Sequence, residues 1–182
     1  MEPFGAFVDI GCGTVSMVGI ENISVSRIPH PDRRFRVGQE IYAVVSGLHP
    51  GLRRITLSHR ELLGTWAENV AAFSPGMTVS GYVRGIKEYG AFIELTPNLS
   101  GLAELRPDLV EGDLVSVYLK GIFPDRMKIK LLVIDRLAPA AEPPSLRYFV
   151  TSGQLDSWQY APEGCRKTGP ESLFLGMPTA AF

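Results

Sequence analysis

Two stretches of this chain repeat one pattern. Phe4-Gly5-Ala6-Phe7-Val8-Asp9-Ile10 and Tyr89-Gly90-Ala91-Phe92-Ile93-Glu94-Leu95 both read aromatic–Gly–Ala–Phe–apolar–acid–apolar, 85 positions apart. A pattern that recurs in this way marks a repeated module. In each copy apolar residues alternate with others, which is the signature of a β-strand with one buried face. Val8 and Ile10, like Ile93 and Leu95, take that face. The two rings of each copy lie three positions apart, so strict alternation would send them to opposite sides. The glycine between them is expected to bulge or twist the strand and bring both rings to the outer face.

The 182 residues suffice for two small domains, and 45% hydrophobic content is enough to build their cores. The net charge of −1 conceals little asymmetry. Residues 1–60 carry seven basic and five acidic side chains, and residues 74–136 carry eight of each. A chain that held nucleic acid by charge alone would be far more basic, so any such partner must be met by local placement. Cys12 and Cys165 are the only cysteines, which argues against a disulfide framework and for a reducing, cytoplasmic setting. No signal pattern opens the chain, and no apolar run approaches a membrane span.

In residues 1–58, Gly11-Cys12-Gly13-Thr14 reads as a hairpin turn before a returning strand at Val15–Val18. A phosphate loop would need a third glycine at position 16 and a following helix, and neither is present. A Pro-rich basic loop, Pro29–Arg34, leads to strands at Ile41–Val45 and Arg54–Ser58. Over residues 59–75 the period changes. Leu62, Leu63, Trp66, Val70 and Phe73 recur at helical spacing until Ser74-Pro75-Gly76 ends the run, with Trp66 as a packing anchor between modules.

Residues 76–136 hold the second copy, with strands at Met77–Ile86, Tyr89–Leu95, Gly101–Leu105, Asp113–Leu119 and Lys128–Leu131. Five short strands separated by turns argue for a small closed barrel. The first copy has only Met1, Glu2 and Pro3 ahead of its aromatic strand, so its barrel lacks a first strand. Residues 137–182 form an irregular extension that begins with the Pro-rich linker 138–144. Leu146–Val150 reads as a strand, with a partner near Trp158–Tyr160, and the last dozen residues are expected to be disordered. Two expectations stand for Leu146–Val150: that it packs with the rest of the tail as a separate hairpin, the chain being a fragment of a longer array, or that it docks on the open edge of the first repeat.

The spaced residues Gly76, Gly81, Val83, Ile86, Tyr89-Gly90-Ala91-Phe92-Ile93, Gly101-Leu102, Gly112-Asp113 and Lys128-Ile129-Lys130-Leu131 resemble the RNA-binding repeat of the ribosomal protein S1 family. Residues 3–58 resemble another such repeat. The resemblance implies an all-β chain of two tandem five-stranded OB-type barrels, with outward aromatics that stack bases of single-stranded RNA. It points to Phe4, Phe7 and Arg54 in the first repeat and to Tyr89, Phe92 and Lys128 in the second. The third-strand position, often His in the family, is read as Asn22 and Glu104. His49 and Phe123 stand where the family has Asp, each before a turn one residue longer than usual.

The residues support the same reading physically. Exposed rings on a strand stack on any base, at roughly 1–3 kcal/mol each. Arg53, Arg54, Arg84, Lys87, Lys128 and Lys130 are placed to meet backbone phosphates. Asp9 and Glu94, read on the ring face, would oppose them. No metal-ligand spacing, nucleophile elbow or Walker loop appears, and the acidic residues Asp108, Glu111 and Asp113 read as a solvated loop. The expectation is a cytoplasmic RNA-binding protein without catalysis, cofactor or metal, whose partners are mRNA and the ribosome. Two other classes use such barrels: protein-interaction modules, and accessory domains of larger RNA enzymes.

Overall fold

The computed structural model describes residues 1–139 and 144–182, so part of the linker 138–144 lies outside the described residues. The chain divides into two compact units. One comprises Met1–Gly64, Pro143–Tyr160 and Pro170–Phe182; the other comprises Thr65–Glu142 and Ala161–Gly169. Both are built from strands, and no helix among the described residues is long and apolar enough to cross a membrane.

The first unit contains β1 (Gly5–Val8), β2 (Val15–Gly19), β3 (Tyr42–His49) and β4 (Arg54–Ser58). A 3-10 turn at Arg60–Leu63 ends this part of the chain. The expected continuous helix over 59–73 is broken because Gly64 adopts φ +86°, outside the helical range. Thr65 then starts a five-residue helix, Trp66–Val70, through a reciprocal capping box with Glu68. Trp66 is buried.

The second unit contains β5 (Thr78–Lys87), β6 (Gly90–Thr96), β7 (Leu99–Ala103), β8 (Asp113–Phe123) and β9 (Lys128–Pro139). They close into a barrel of order β5-β6-β7-β9-β8. Val83, Ile93, Val115, Val117, Leu119, Ile129 and Leu131 fill it. At about 1.5–3 kcal/mol for each fully buried aliphatic side chain, these residues dominate its stability. The chain is thus all-β with tandem OB-type architecture, as its alternating apolar patterns require.

The first unit is completed differently. Two strands from the far end of the chain, β10 (Gly153–Gln159) and β11 (Glu171–Ala181), join a six-stranded sheet of order β1-β2-β4-β3-β11-β10. Thr179, Ala180 and Ala181 pair antiparallel with Val44, Ala43 and Tyr42, and Phe182 exchanges two backbone hydrogen bonds with Ile41 at 2.6 and 2.7 Å. The docking strand is therefore β11, while Leu146–Val150 forms no strand. The last dozen residues are ordered for the same reason: their backbone groups find partners in the sheet.

Two buried polar clusters hold the C-terminal segments to this unit. His59 donates from Nδ1 to the Ile23 carbonyl at 2.6 Å, and its Nε2 accepts from the Tyr148 hydroxyl at 3.0 Å. Burial pushes the His59 imidazole down to about 4 and the Tyr148 phenol up to about 12. The Glu61 carboxylate, also buried, accepts from Ser58 at 2.5 Å, Ser172 at 2.6 Å and Arg60 at 3.2 Å. The Phe149 amide donates to the Leu62 carbonyl.

Candidate nucleic-acid interface

The two copies of the aromatic pattern build the same local structure. Phe4 and Tyr89 occupy the turn that precedes each strand, rather than the strand itself. Leaving the pleat frees each ring from strict alternation and lets it meet the next aromatic. The Phe4 and Phe7 rings lie edge to face, 6.1 Å apart at 88°, and Tyr89 and Phe92 repeat that geometry at 6.1 Å and 88°. Phe4, Phe7 and Tyr89 are 56%, 54% and 69% exposed, whereas Phe92 is half-buried.

The glycine of the pattern does not mark a bulge. Lys87, Ile86 and Gly85 pair in unbroken order with Gly90, Ala91 and Phe92. What requires glycine is the neighbouring strand. A Cβ at Gly5 would run into the Val18 carbonyl oxygen, and one at Gly90 into that of Ala103. These carbonyls stand at matching places, because Ala6 pairs with Val18 and Ala91 with Ala103.

A second shared device precedes the last strand of each repeat. Pro50–Leu52 and Pro124–Arg126 form 3-10 turns, and the next residues, Arg53 and Met127, both adopt φ 46°, ψ 47°. This left-handed residue sets Arg54 and Lys128 at the starts of β4 and β9, opposite His49 and Phe123.

In the second unit these features converge. Tyr89, Lys128 and Lys130 line one cavity of about 240 Å³ with Leu102, Glu104 and Lys120. Lys130 Nζ sits 5.4 Å from the centre of the Phe123 ring, and Lys120 pairs with Glu104 at 3.2 Å. Leu102 is the cross-strand partner of Phe92, so an apolar floor adjoins the rings. Lys120 was not among the expected cations. Its only signal was its place in the alternation of β8, where exposed Lys120 follows buried Leu119. Lys87 is exposed at the end of β5. In the first unit Arg53, Arg54 and His49 line a cavity of about 500 Å³ that also includes Cys12. Phe7 lines a different one.

Two expected positions have other duties. Arg84 is almost wholly buried and grips Glu94 through two hydrogen bonds, at 2.9 and 3.2 Å. Its charge is thereby committed inside the protein rather than offered to phosphate. Glu94, at 1% exposure, is equally removed from the surface it was expected to oppose. Asn22 lies in the 3-10 turn Ile20–Asn22, beyond the end of β2, and its carbonyl accepts from the His59 amide. The register places Gly19, not Asn22, opposite Gly5 and at the place matching Glu104. The Arg33/Arg34/Arg36 loop is also less available than its sequence implies, since Arg34 is buried and donates to Ser24. The acidic cluster is divided among structural partners: Arg106 on Asp108, Arg136 on Asp113, and the Ile86 amide on Glu111.

A pair of small OB-type modules, each presenting an edge-to-face aromatic pair and a left-handed residue before its last strand, defines the class of protein. The comparisons specify it further. Residues 1–60 match the family described as S1 RNA binding domain. The small ribosomal subunit protein bS1 of Chlamydia muridarum is 30% identical over 148 residues, covering 74% of this chain and 26% of that protein. Its homolog in Bacillus subtilis is 35% identical over 106 residues, covering 58% of this chain and 28% of that protein. An uncharacterized protein of Methanocaldococcus jannaschii has a solved structure with 32% identity and a TM-score of 0.32, covering 34% of this chain and 93% of that one. Residues 1–60 thus match the S1 RNA binding domain family, and the chain spans about a quarter of the length of the curated bS1 relatives.

Proposed function

We propose that this chain binds single-stranded RNA, using the ring pairs Phe4/Phe7 and Tyr89/Phe92 as stacking platforms. The observation that carries the reading is the recurrence of one ring geometry in two units whose sheets close differently. A solvent-exposed aromatic ring costs free energy in water, and the exposure of Phe4, Phe7 and Tyr89 points to a partner with flat apolar faces. Every base has such a face. Lys128, Lys130 and Lys120 share a cavity with Tyr89 in the second unit, where a strand stacked on that ring would pass its phosphates, and Arg54 holds the place in the first unit that Lys128 holds in the second. Duplex RNA keeps its bases paired and stacked, so it cannot use the rings.

The process served is proposed to be translation or mRNA handling, with the ribosome as a further partner, because the named relatives are ribosomal subunit proteins. A cytoplasmic location and the absence of catalysis belong to the same proposal. The test is a titration of the full chain with a single-stranded RNA and with the duplex formed from it, at two salt concentrations. Tighter binding of the single strand, weakening as salt rises, supports the reading. Equal affinity for both forms contradicts it, and salt-independent capture of neither would favour a protein-interaction module.

A further inference from the structure

The second unit carries a loop that its barrel does not need for closure. Ala161–Gly169 joins β10 to β11, yet it packs as part of the second unit. The loop turns at Gly164, φ +75°, where the Cys165 amide donates to the Pro162 carbonyl at 3.1 Å. Two further donors fix it to the barrel. The Arg166 amide and the Cys165 thiol both reach the Asp125 carbonyl, at 3.0 and 3.3 Å. The side chains of Arg166 and Lys167 take no part in this anchorage and are exposed.

The anchor point is the turn that opens β9. Asp125 is the middle residue of Pro124–Arg126, and Lys128 follows it by three residues, a span of at most about 11 Å. Phe123 precedes the turn, pairs with Lys128 and has Lys130 Nζ 5.4 Å from its ring centre. The loop is therefore a neighbour of the cations that share a cavity with Tyr89. In the first unit Gly51 holds the place of Asp125, and nothing lies within 4 Å of where a Cβ there would stand.

Charge pairing sets the same residues apart. Arg84, Arg106, Lys120, Arg126 and Arg136 each have a carboxylate partner. Among the described residues of this unit, Lys87, Lys128, Lys130, Arg166 and Lys167 have none. Lys87 pairs across strands with Gly90, next to Tyr89, and Lys128 and Lys130 line the Tyr89 cavity. The uncommitted cations thus stand beside the rings or on the loop adjoining them.

We propose that Ala161–Gly169 is a phosphate-contacting arm of the second unit. Arg166 and Lys167 carry the path of a single-stranded RNA past Lys128, an assignment that rests on the rings being the stacking platform. Cations without carboxylates keep their full charge for a backbone that repeats an anion at every nucleotide. An arm already held at Asp125 loses less freedom on binding than an unanchored one. The arm belongs to the second unit alone, so it lengthens the footprint there and not in the first.

The test uses the full chain and a single-stranded homopolymer long enough to pass the rings and the arm. Combining Arg166→Gln with Lys167→Gln removes two phosphate contacts at about 0.7 each, so the slope of log affinity against log salt should fall by about 1.4. In the parent, the amide resonances of residues 164–168 should shift with RNA together with those of residues 89–92. An unchanged slope would overturn the arm and leave the ring reading standing. So would loop resonances that stay fixed while those of residues 89–92 shift. If residues 89–92 of the parent do not respond to RNA, the ring reading falls and the arm falls with it.

Discussion

The two units present the same ring pair and the same left-handed turn, yet they close their sheets by opposite means. In the second unit the first strand is β5, which directly precedes the other four in sequence, and the barrel closes on itself. In the first, β11 must return from the far end of the chain to occupy part of the same place, and β1 stays at an edge. Their buried charges follow suit. The second unit settles Glu94 with Arg84 from a neighbouring strand. The first settles Glu61 with Ser172 and His59 with Tyr148, both partners lying about a hundred residues away. An aromatic surface can therefore be kept constant over scaffolds of different connectivity, because the rings depend on one strand and its preceding turn. Closure is a separate problem, solved wherever a suitable strand can be found.

The comparison can be broken most severely in the second unit. Arg84→Ala leaves Glu94 buried without its guanidinium, and losing one partner of a buried pair costs about 3–5 kcal/mol. Each unit holds one tryptophan, Trp66 in the second and Trp158 in the first, so fluorescence can follow their unfolding separately. Arg84→Ala should lower the urea midpoint reported by Trp66 and leave that reported by Trp158 nearly unchanged. A common shift would show that the units unfold as one.

Acid should act on the other unit. His59 is held neutral, with Arg34 adding repulsion to the burial that disfavours its charged form. Below pH 6.5 the unfolded chain takes up this proton first, so stability present at neutral pH is lost as the pH falls from about 6.5 to about 4. The loss at the lower limit is about 3 kcal/mol. The Trp158 transition should record it, and His59→Gln should flatten the dependence over that window. Retention of the slope in His59→Gln would assign it to carboxylates instead. Smaller again is the tie to β11. Ser172→Ala removes a hydroxyl that donates to the buried Glu61 carboxylate, worth about 1.5–3 kcal/mol. It should speed amide exchange at Tyr42–Val44, the residues that β11 covers. Unaltered exchange there would mean that the strand docks independently of Glu61.

The strands of both repeats were legible because period-two alternation and turn residues are local signals. The ring pairs were legible for the same reason, although the glycine between them serves a close carbonyl rather than a bulge. That carbonyl belongs to another strand, and no local pattern announces it. Arg84 and Lys128 look alike in sequence as exposed cations on strands. Only the barrel reveals that one faces Glu94 inside and the other lines a cavity with Tyr89. The need for a strand on the first repeat could be read from the lack of one. Its identity could not, since Thr179–Ala181 carry a weak apolar pattern and their partners lie at Tyr42–Val44.

The central claim is that both ring pairs stack on RNA, and the direct measurement is the affinity of the full chain for a single-stranded homopolymer when one ring of each pair is removed. Phe7→Ala and Phe92→Ala should each weaken binding by about 1–3 kcal/mol, and Phe4→Ala and Tyr89→Ala should do likewise. Arg54→Ala should flatten the salt dependence more than Lys128→Ala, since the second unit retains Lys120 and Lys130 beside Lys128. Parent-like affinity in all four ring variants, with their folds intact, would contradict the account.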